Sequence, residues 1–174
     1  MKGQSVVHSS SKDDWQTPQD LYDLLHKEFT FQVDRAASFA NKKCLLYYGP
    51  DHQHENFRDA LTIAWSGQGF LNPPYSLVGK FMAKAYAEMA INGVSTVALI
   101  AARPDTKWWH EYVAYADEIR FLKGRLRFEG EDTGNSAPFP SAVVIFRPLP
   151  IGMFYTQRVV WWDWRSTKEM DKVA

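Results

Sequence analysis

The chain has 174 residues and balances 20 Lys+Arg against 20 Asp+Glu. That length fits one domain with a tail, and zero net charge excludes a wholly basic nucleic-acid binder while allowing a local basic face. With 45% hydrophobic, 23% charged and 15% aromatic residues, the chain is globular rather than disordered, and its rings are numerous enough to serve flat ligands as well as a core.

Residues 1–13, polar and Ser-rich, are expected to be a flexible leader. Thr17-Pro18 opens a helix, with Thr as its cap and Pro in its first turn. Leu21, Leu24, Leu25 and Phe29 follow at helical spacing, so an amphipathic helix is expected over 18–28. Phe31-Gln32-Val33 alternates as a short strand and runs into Asp34-Arg35-Ala36-Ala37-Ser38. Residues 43–48 are a second strand candidate, stopped by Gly49-Pro50. Residues 51–68 are polar apart from Leu61, Ile63 and Trp65, and show no period. Gly69-Phe70-Leu71 predicts a strand, Phe81, Ala85 and Met89 a helix over 77–91, and 96–100 a strand buried on both faces. A helix with Trp108, Trp109 and Tyr112 is expected over 106–116, and strands at 119–122 and 142–146 flank a Gly- and Pro-rich loop at 129–141. Beyond Pro150, residues 151–174 with Trp161, Trp162 and Trp164 are expected as an extension, either packed on the domain as a last strand or partly disordered. Helices alternating with apolar strands predict an α/β fold with a mostly parallel sheet and a late antiparallel excursion.

A lone cysteine, Cys44, excludes an internal disulfide and a thiolate zinc site. No stretch approaches the roughly 20 apolar residues of a membrane span. The start, Met1-Lys2-Gly3-Gln4-Ser5, has no apolar run behind its charge, so a cytoplasmic protein with no membrane partner is expected.

Asn72-Pro73-Pro74-Tyr75 is the most informative tetrapeptide, because it follows a buried strand, at the sheet edge where open α/β folds bind ligands. The Asn72 amide oxygen can accept from an exocyclic amine, and the Pro73 carbonyl is a second acceptor. Pro74 fixes φ and restrains its predecessor, holding the acceptors on one arc, while Tyr75 offers a ring for stacking. A double-proline turn with no chemistry is the plain alternative.

This tetrapeptide resembles the hallmark of S-adenosylmethionine-dependent amino-methyltransferases, and the wider pattern resembles the phage-type DNA N6-adenine methyltransferase (Dam) family. The resembling segments are 14–18, 33–38, 69–75, 101–108, 121–128 and 135–146, in order along the chain. The resemblance implies a Rossmann-like domain over 14–150, with a seven-stranded sheet and helices on both faces. S-adenosylmethionine is implied as cofactor and double-stranded DNA as partner, in the cytoplasm of the host if the gene belongs to a phage. It also implies Asn72, Pro73, Pro74 and Tyr75 as the catalytic set. Trp15, Thr17, Pro18, Asp34, Ala36, Ala37, Ser38 and Asn72 stand at its cofactor positions. In place of the usual Gly-x-Gly this chain has Ala37-Ser38.

An acid past the second strand commonly takes the ribose hydroxyls of a bound nucleoside, and Asp51 is the candidate; a solvated turn is the alternative. His52 and His54 are read as a polar loop rather than metal ligands, and no metal is expected. Lys123, Arg125 and Arg127 alternate with Gly124, Leu126 and Phe128, so a strand would align three cations that could track phosphates. Arg103 and Lys107, beyond the strand at 96–100, join them as DNA-contact candidates, with a helix start as the alternative. The same motifs also permit an enzyme acting on cytosine N4, RNA or a glutamine side chain, and a non-catalytic DNA-binding α/β module. The segments 41–68 and 129–141 are the candidates for base readout.

Overall fold

The computed structural model describes residues 15–129, 136–149 and 156–171. Residues 1–14, which include the leader expected at 1–13, and the stretches 130–135, 150–155 and 172–174 lie outside the described residues. Seven strands form one sheet: β1 (Val33–Asp34), β2 (Leu46–Tyr47), β3 (Gly69–Leu71), β4 (Thr96–Ala101), β5 (Glu118–Leu122), β6 (Ser141–Phe146) and β7 (Arg158–Trp162). Their order is β2-β1-β3-β4-β6-β5-β7, and only β6 runs antiparallel to its neighbours. That is the expected late excursion. The helices are α1 (Gln19–Phe29), α2 (Val78–Asn92), α3 (Lys107–Glu111) and α4 (Trp164–Asp171).

Side chains alternate along each strand, so β4 and β6 feed two separate cores. Val97, Leu99, Val143 and Ile145 pack with Leu21, Tyr22 and Leu25 of α1, and with Leu126, Phe128 and Trp164. Ala98, Ile100, Ala142, Val144 and Phe146 pack on the other face with Phe81, Met82, Ala85 and Met89 of α2 and Trp109 of α3. Helices thus cover both faces, which is why these strands read as unbroken apolar runs. Among the described residues no helix is long and apolar enough to cross a membrane.

Three expectations are corrected. The helix over 106–116 stops at Glu111 and continues as a tight turn over Val113–Tyr115, because Tyr112 leaves helical geometry (φ −131°) and Val113 is drawn fully into the core. The strand over 43–48 shrinks to Leu46–Tyr47, because the Lys43 N–H is held by Asp34 Oδ2 and that of Lys42 by the Ser38 carbonyl. Thr17 does not cap α1; the helix begins with Gln19 N–H on Glu129 Oε1 at 2.9 Å and Leu21 N–H on Asp20 Oδ1 at 2.8 Å.

Residues 51–68 form no regular element beyond a turn at Glu55–Phe57. They lay Ala60 and Trp65 into the α2-side core, and Trp65 N–H bonds Glu88 Oε1 at 3.1 Å. Beneath β3 the fully buried Arg35 donates from Nη2 to the carbonyls of Gly67, Ser95 and Ser66, at 2.7, 3.3 and 3.4 Å. Its guanidinium carbon lies 4.6 Å from the centre of the Trp65 ring, and its Nε and Nη1 have no partner among the described residues. Burial lowers its pKa to about 10, which leaves it charged at neutral pH.

Beyond Pro150, β7 completes the sheet edge beside β5. Trp164 is buried and Trp162 half-buried, whereas Trp161 is 81% exposed and stacks on Phe121. The tail tryptophans are therefore divided between core and sheet-edge cover.

Candidate active site

The parallel strands all end at one edge of the sheet, and the site is built there. Asp34 ends β1, Asn72 follows β3, Arg103 lies just past β4, Lys123 follows β5 and Asp163 follows β7. Because β6 starts at this edge, with Ser141 opposite Ala101, the chain between β5 and β6 must return across it.

Asn72 is gripped from the N-terminal segment. Its Nδ2 donates to the Trp15 carbonyl at 2.6 Å and to Thr17 Oγ1 at 3.0 Å. A backbone carbonyl can only accept, so the amide nitrogen must face Trp15, and Oδ1 is the end left to accept from elsewhere. The Pro74 carbonyl is occupied by the Leu77 N–H at 2.9 Å, which fixes the turn at Tyr75–Leu77 directly after Pro73.

Three half-buried rings stand beside this turn. Tyr75 meets Phe139 edge-on at 4.8 Å and Trp15 at 6.2 Å, and Trp15 meets Phe139 at 6.0 Å. Phe128 supports Trp15 from below at 5.4 Å. Edge-to-face contacts of this kind are a preferred arrangement of aromatic pairs and fix the rings at steep angles to one another. The segment carrying Trp15 is pinned by paired backbone bonds between Gln16 and Glu129, at 2.9 and 3.3 Å. Phe139 was not singled out from the sequence. Its signal was an aromatic between prolines directly before a buried strand.

A second cluster sits at the ends of β1 and β2. Asp34 is buried, its Oδ2 accepting the Lys43 N–H at 3.0 Å and its Oδ1 the Ala36 N–H at 3.4 Å. Burial pushes its pKa up to about 6 while the two N–H donors pull the other way, so it remains ionised at neutral pH. Ala37 N–H bonds the Tyr48 carbonyl at 3.0 Å, Ser38 N–H bonds Asn41 Oδ1 at 2.7 Å, and Phe39 N–H bonds Asp51 Oδ2 at 2.8 Å. A Cβ added to Gly49 would stand 1.7 Å from the Ala37 carbonyl oxygen. Only glycine fits at this position of the facing turn, which packs directly on the Ala37 carbonyl. The structure therefore gathers Asp34, Ala36, Ala37, Ser38 and the exposed Asp51 at the β1–β2 exit, and Trp15, Thr17, Pro18 and Asn72 beside β3, the next strand over.

The cationic stripe is corrected. Residues 123–128 are not a strand, because Gly124 turns the chain at φ +77°. Arg165 occupies the Lys123 and Arg125 carbonyls at 3.1 Å each, and the Leu126 carbonyl bonds the Ala137 N–H. Alternation survives past the turn: Leu126 and Phe128 are buried, Arg125 and Arg127 exposed. Lys123 is paired with Asp163 at 2.6 Å, and Lys107 with Glu111 at 3.4 Å, while Arg103 is exposed at the same edge. His52 and His54 build a turn, His52 Nδ1 accepting the His54 N–H at 3.0 Å, and its ring packs on Tyr47 and Phe57.

A mixed α/β sheet thus carries along one edge the Asn72-Pro73-Pro74-Tyr75 turn, a box of rings and an acid-bearing loop. The chain belongs to the DNA N-6-adenine-methyltransferase (Dam) family, whose model matches residues 4–166. It is similar to the DNA N-6-adenine-methyltransferase of Haemophilus phage HP1 (strain HP1c1), 28% identical over 155 residues that cover 85% of this chain and 86% of the relative. It is also similar to the DNA N-6-adenine-methyltransferase of Escherichia phage T1, 29% identical over 163 residues that cover 81% of this chain and 65% of the relative.

Proposed function

We propose that the protein transfers a methyl group from S-adenosylmethionine to the N6 amine of adenine in double-stranded DNA, on a Rossmann-like methyltransferase sheet and in the cytoplasm. The observation that carries this reading is Asn72, its amide nitrogen held by Trp15 and Thr17 so that its oxygen is left to accept, beside the rings of Trp15, Tyr75 and Phe139. Membership of the adenine-methylating family supports adenine over other planar amines.

The loop at the β1–β2 exit suits the methyl donor. The Gly49 contact packs the facing turn on the Ala37 carbonyl, and exposed Asp51 can accept from ribose hydroxyls. Asp34, Ala36, Ala37, Ser38 and Asp51 would hold it there; Trp15, Thr17, Pro18 and Asn72 border that place on the β3 side, where the Asn72 amide nitrogen is engaged with Trp15 and Thr17 rather than with the donor. S-adenosylmethionine, when bound, supplies a methyl group on a positively charged sulfur.

Adenine N6 is a weak nucleophile because its lone pair is delocalised into the ring. Asn72 Oδ1 and the Pro73 carbonyl accept both N6 hydrogens and return electron density to the nitrogen, an arrangement set before the base arrives. The target base has to leave the duplex to reach them, and the faces of Tyr75 and Phe139 receive it by stacking. No thiol takes part: Cys44 lies beside Tyr22 Oη at 3.3 Å, on the α1 side.

Incubation of unmethylated DNA with the labelled donor, followed by nucleoside analysis, is expected to place the label in N6-methyldeoxyadenosine. Label in N4-methyldeoxycytidine, or none, overturns the reading. The exposed Arg125 and Arg127 are proposed to contact phosphates. Replacing either with alanine is expected to lower the slope of log affinity against log salt by about one unit on any DNA sequence. Lys123→Ala is expected to change it less, because Asp163 already neutralises that ammonium. An unchanged slope in the double arginine variant would assign the stripe to solvation alone.

A further inference from the structure

The Asn72 amide is locked in one of its two orientations. Its nitrogen is 2.6 Å from the Trp15 carbonyl and 3.0 Å from Thr17 Oγ1, and Thr17 is 2% exposed. Turning the amide over would press Oδ1 against the Trp15 carbonyl with no proton between them. Thr17 is itself fixed, since it stands between the Gln16–Glu129 bridge and the buried Pro18 at the head of α1. The hydroxyl that the sequence offered as a helix cap is committed to Asn72 instead.

We infer that Thr17, together with the Trp15 carbonyl, is a positioning residue that holds Asn72 with its oxygen outward and thereby makes the site select a ring amine over a ring keto group. The inference rests on the proposed reaction. An adenine offers two N6 hydrogens to two fixed acceptors. Hypoxanthine, with a keto oxygen at that position, meets an array of oxygens and no donor. An amide held by the Trp15 carbonyl alone would pivot about that one bond, carry Oδ1 off the N6 hydrogens and lose the discrimination, so the second bond to Thr17 is what fixes it. A site built from fixed polar partners rejects the wrong partner more strongly than one shaped by packing alone.

The test uses the full-length protein and a duplex carrying a target site mapped from methylated genomic DNA. Turnover is measured for wild type, Thr17→Val, Thr17→Ala and Thr17→Ser. Binding is measured, with S-adenosylhomocysteine present, to the same duplex with adenine or hypoxanthine at the target position. Comparing each variant's adenine-to-hypoxanthine ratio with that of wild type cancels the different pairing strengths of the two bases. Thr17→Val and Thr17→Ala are expected to lower kcat about tenfold, with the KM for S-adenosylmethionine little changed, as for one lost hydrogen bond to a working group. Their preference for adenine should fall by a similar factor, and Thr17→Ser should recover most of both. A raised cofactor KM at unchanged kcat would make Thr17 a cofactor contact and overturn the inference. Equal losses in all three variants, or an unaltered base preference in Val and Ala, would overturn it as well. Failure of the wild type to methylate adenine is a separate result that removes the proposed reaction itself.

Discussion

Replacing Asn72 with alanine is expected to cut turnover by roughly 10²–10³, the scale for losing one prearranged polar group at a reacting centre. The loss falls on chemistry because Asn72 Oδ1 supplies one of the two acceptors proposed for N6, and alanine has no oxygen to replace it. The Pro73 carbonyl would remain, holding one N6 hydrogen and leaving the other unmatched. Affinity for S-adenosylmethionine, followed by calorimetry, is expected to stay close to wild type, since the acids and backbone of the β1–β2 exit are untouched. An Asn72→Ala enzyme that turned over at the wild-type rate would reduce the tetrapeptide to a turn and remove the basis for the mechanism.

Gly69→Ala is expected to be the most damaging small substitution in the sheet. A Cβ at this position would stand 1.9 Å from Arg35 Nε and 2.3 Å from Cζ, and the guanidinium has nowhere to go. Its Nη2 is tied to three carbonyls and its face to Trp65, in a place with no exposed surface. Overpacking of this severity costs about 3 kcal/mol, which in a chain of this size lowers Tm by roughly 6–12 °C. The diagnostic result is a coupling. In an Arg35→Ala background the same Gly69→Ala change is expected to cost less than about 1 kcal/mol, because the two side chains no longer compete for one space. Equal costs in both backgrounds, measured by urea unfolding, would show that the strain lies elsewhere in β3.

The readable parts of this protein are those where neighbours in sequence are also neighbours in space. β3 followed at once by Asn72-Pro73-Pro74-Tyr75 is such a part: a buried strand, a rigid turn and the acceptors lie within seven residues. β4 and β6 were equally plain, since a central strand covered on both faces has no polar side to disturb its pattern. Non-local contacts were not readable. Thr17 looked like a cap because nothing near it in sequence competes for its hydroxyl, whereas the competitor, Asn72, is 55 residues away. Lys123 to Phe128 alternate as a strand should, yet Gly124 breaks the ladder and Arg165, from beyond β7, takes the carbonyls a neighbouring strand would have used. Residues 51–68 have no period because their order is imposed from outside, by Glu88 of α2 holding Trp65 and by Arg35 holding Gly67. Phe139 was hidden for the same reason. Its importance lies in Tyr75 and Trp15, one from the middle of the chain and one from near its start.

The clasp between the start of the chain and the crossing before β6 has a consequence for the order of synthesis. Gln19 and Glu129 are joined across 110 residues, and the ring box needs Phe139 beyond them. Contacts of such long range form late, after the strands between them have found their places. A chain still on the ribosome can hold Asn72 and Tyr75, but it cannot close the box or pin Trp15 until β5 and the crossing have emerged. Binding of DNA at the ring box is thus expected only from chains in which the crossing before β6 has been made.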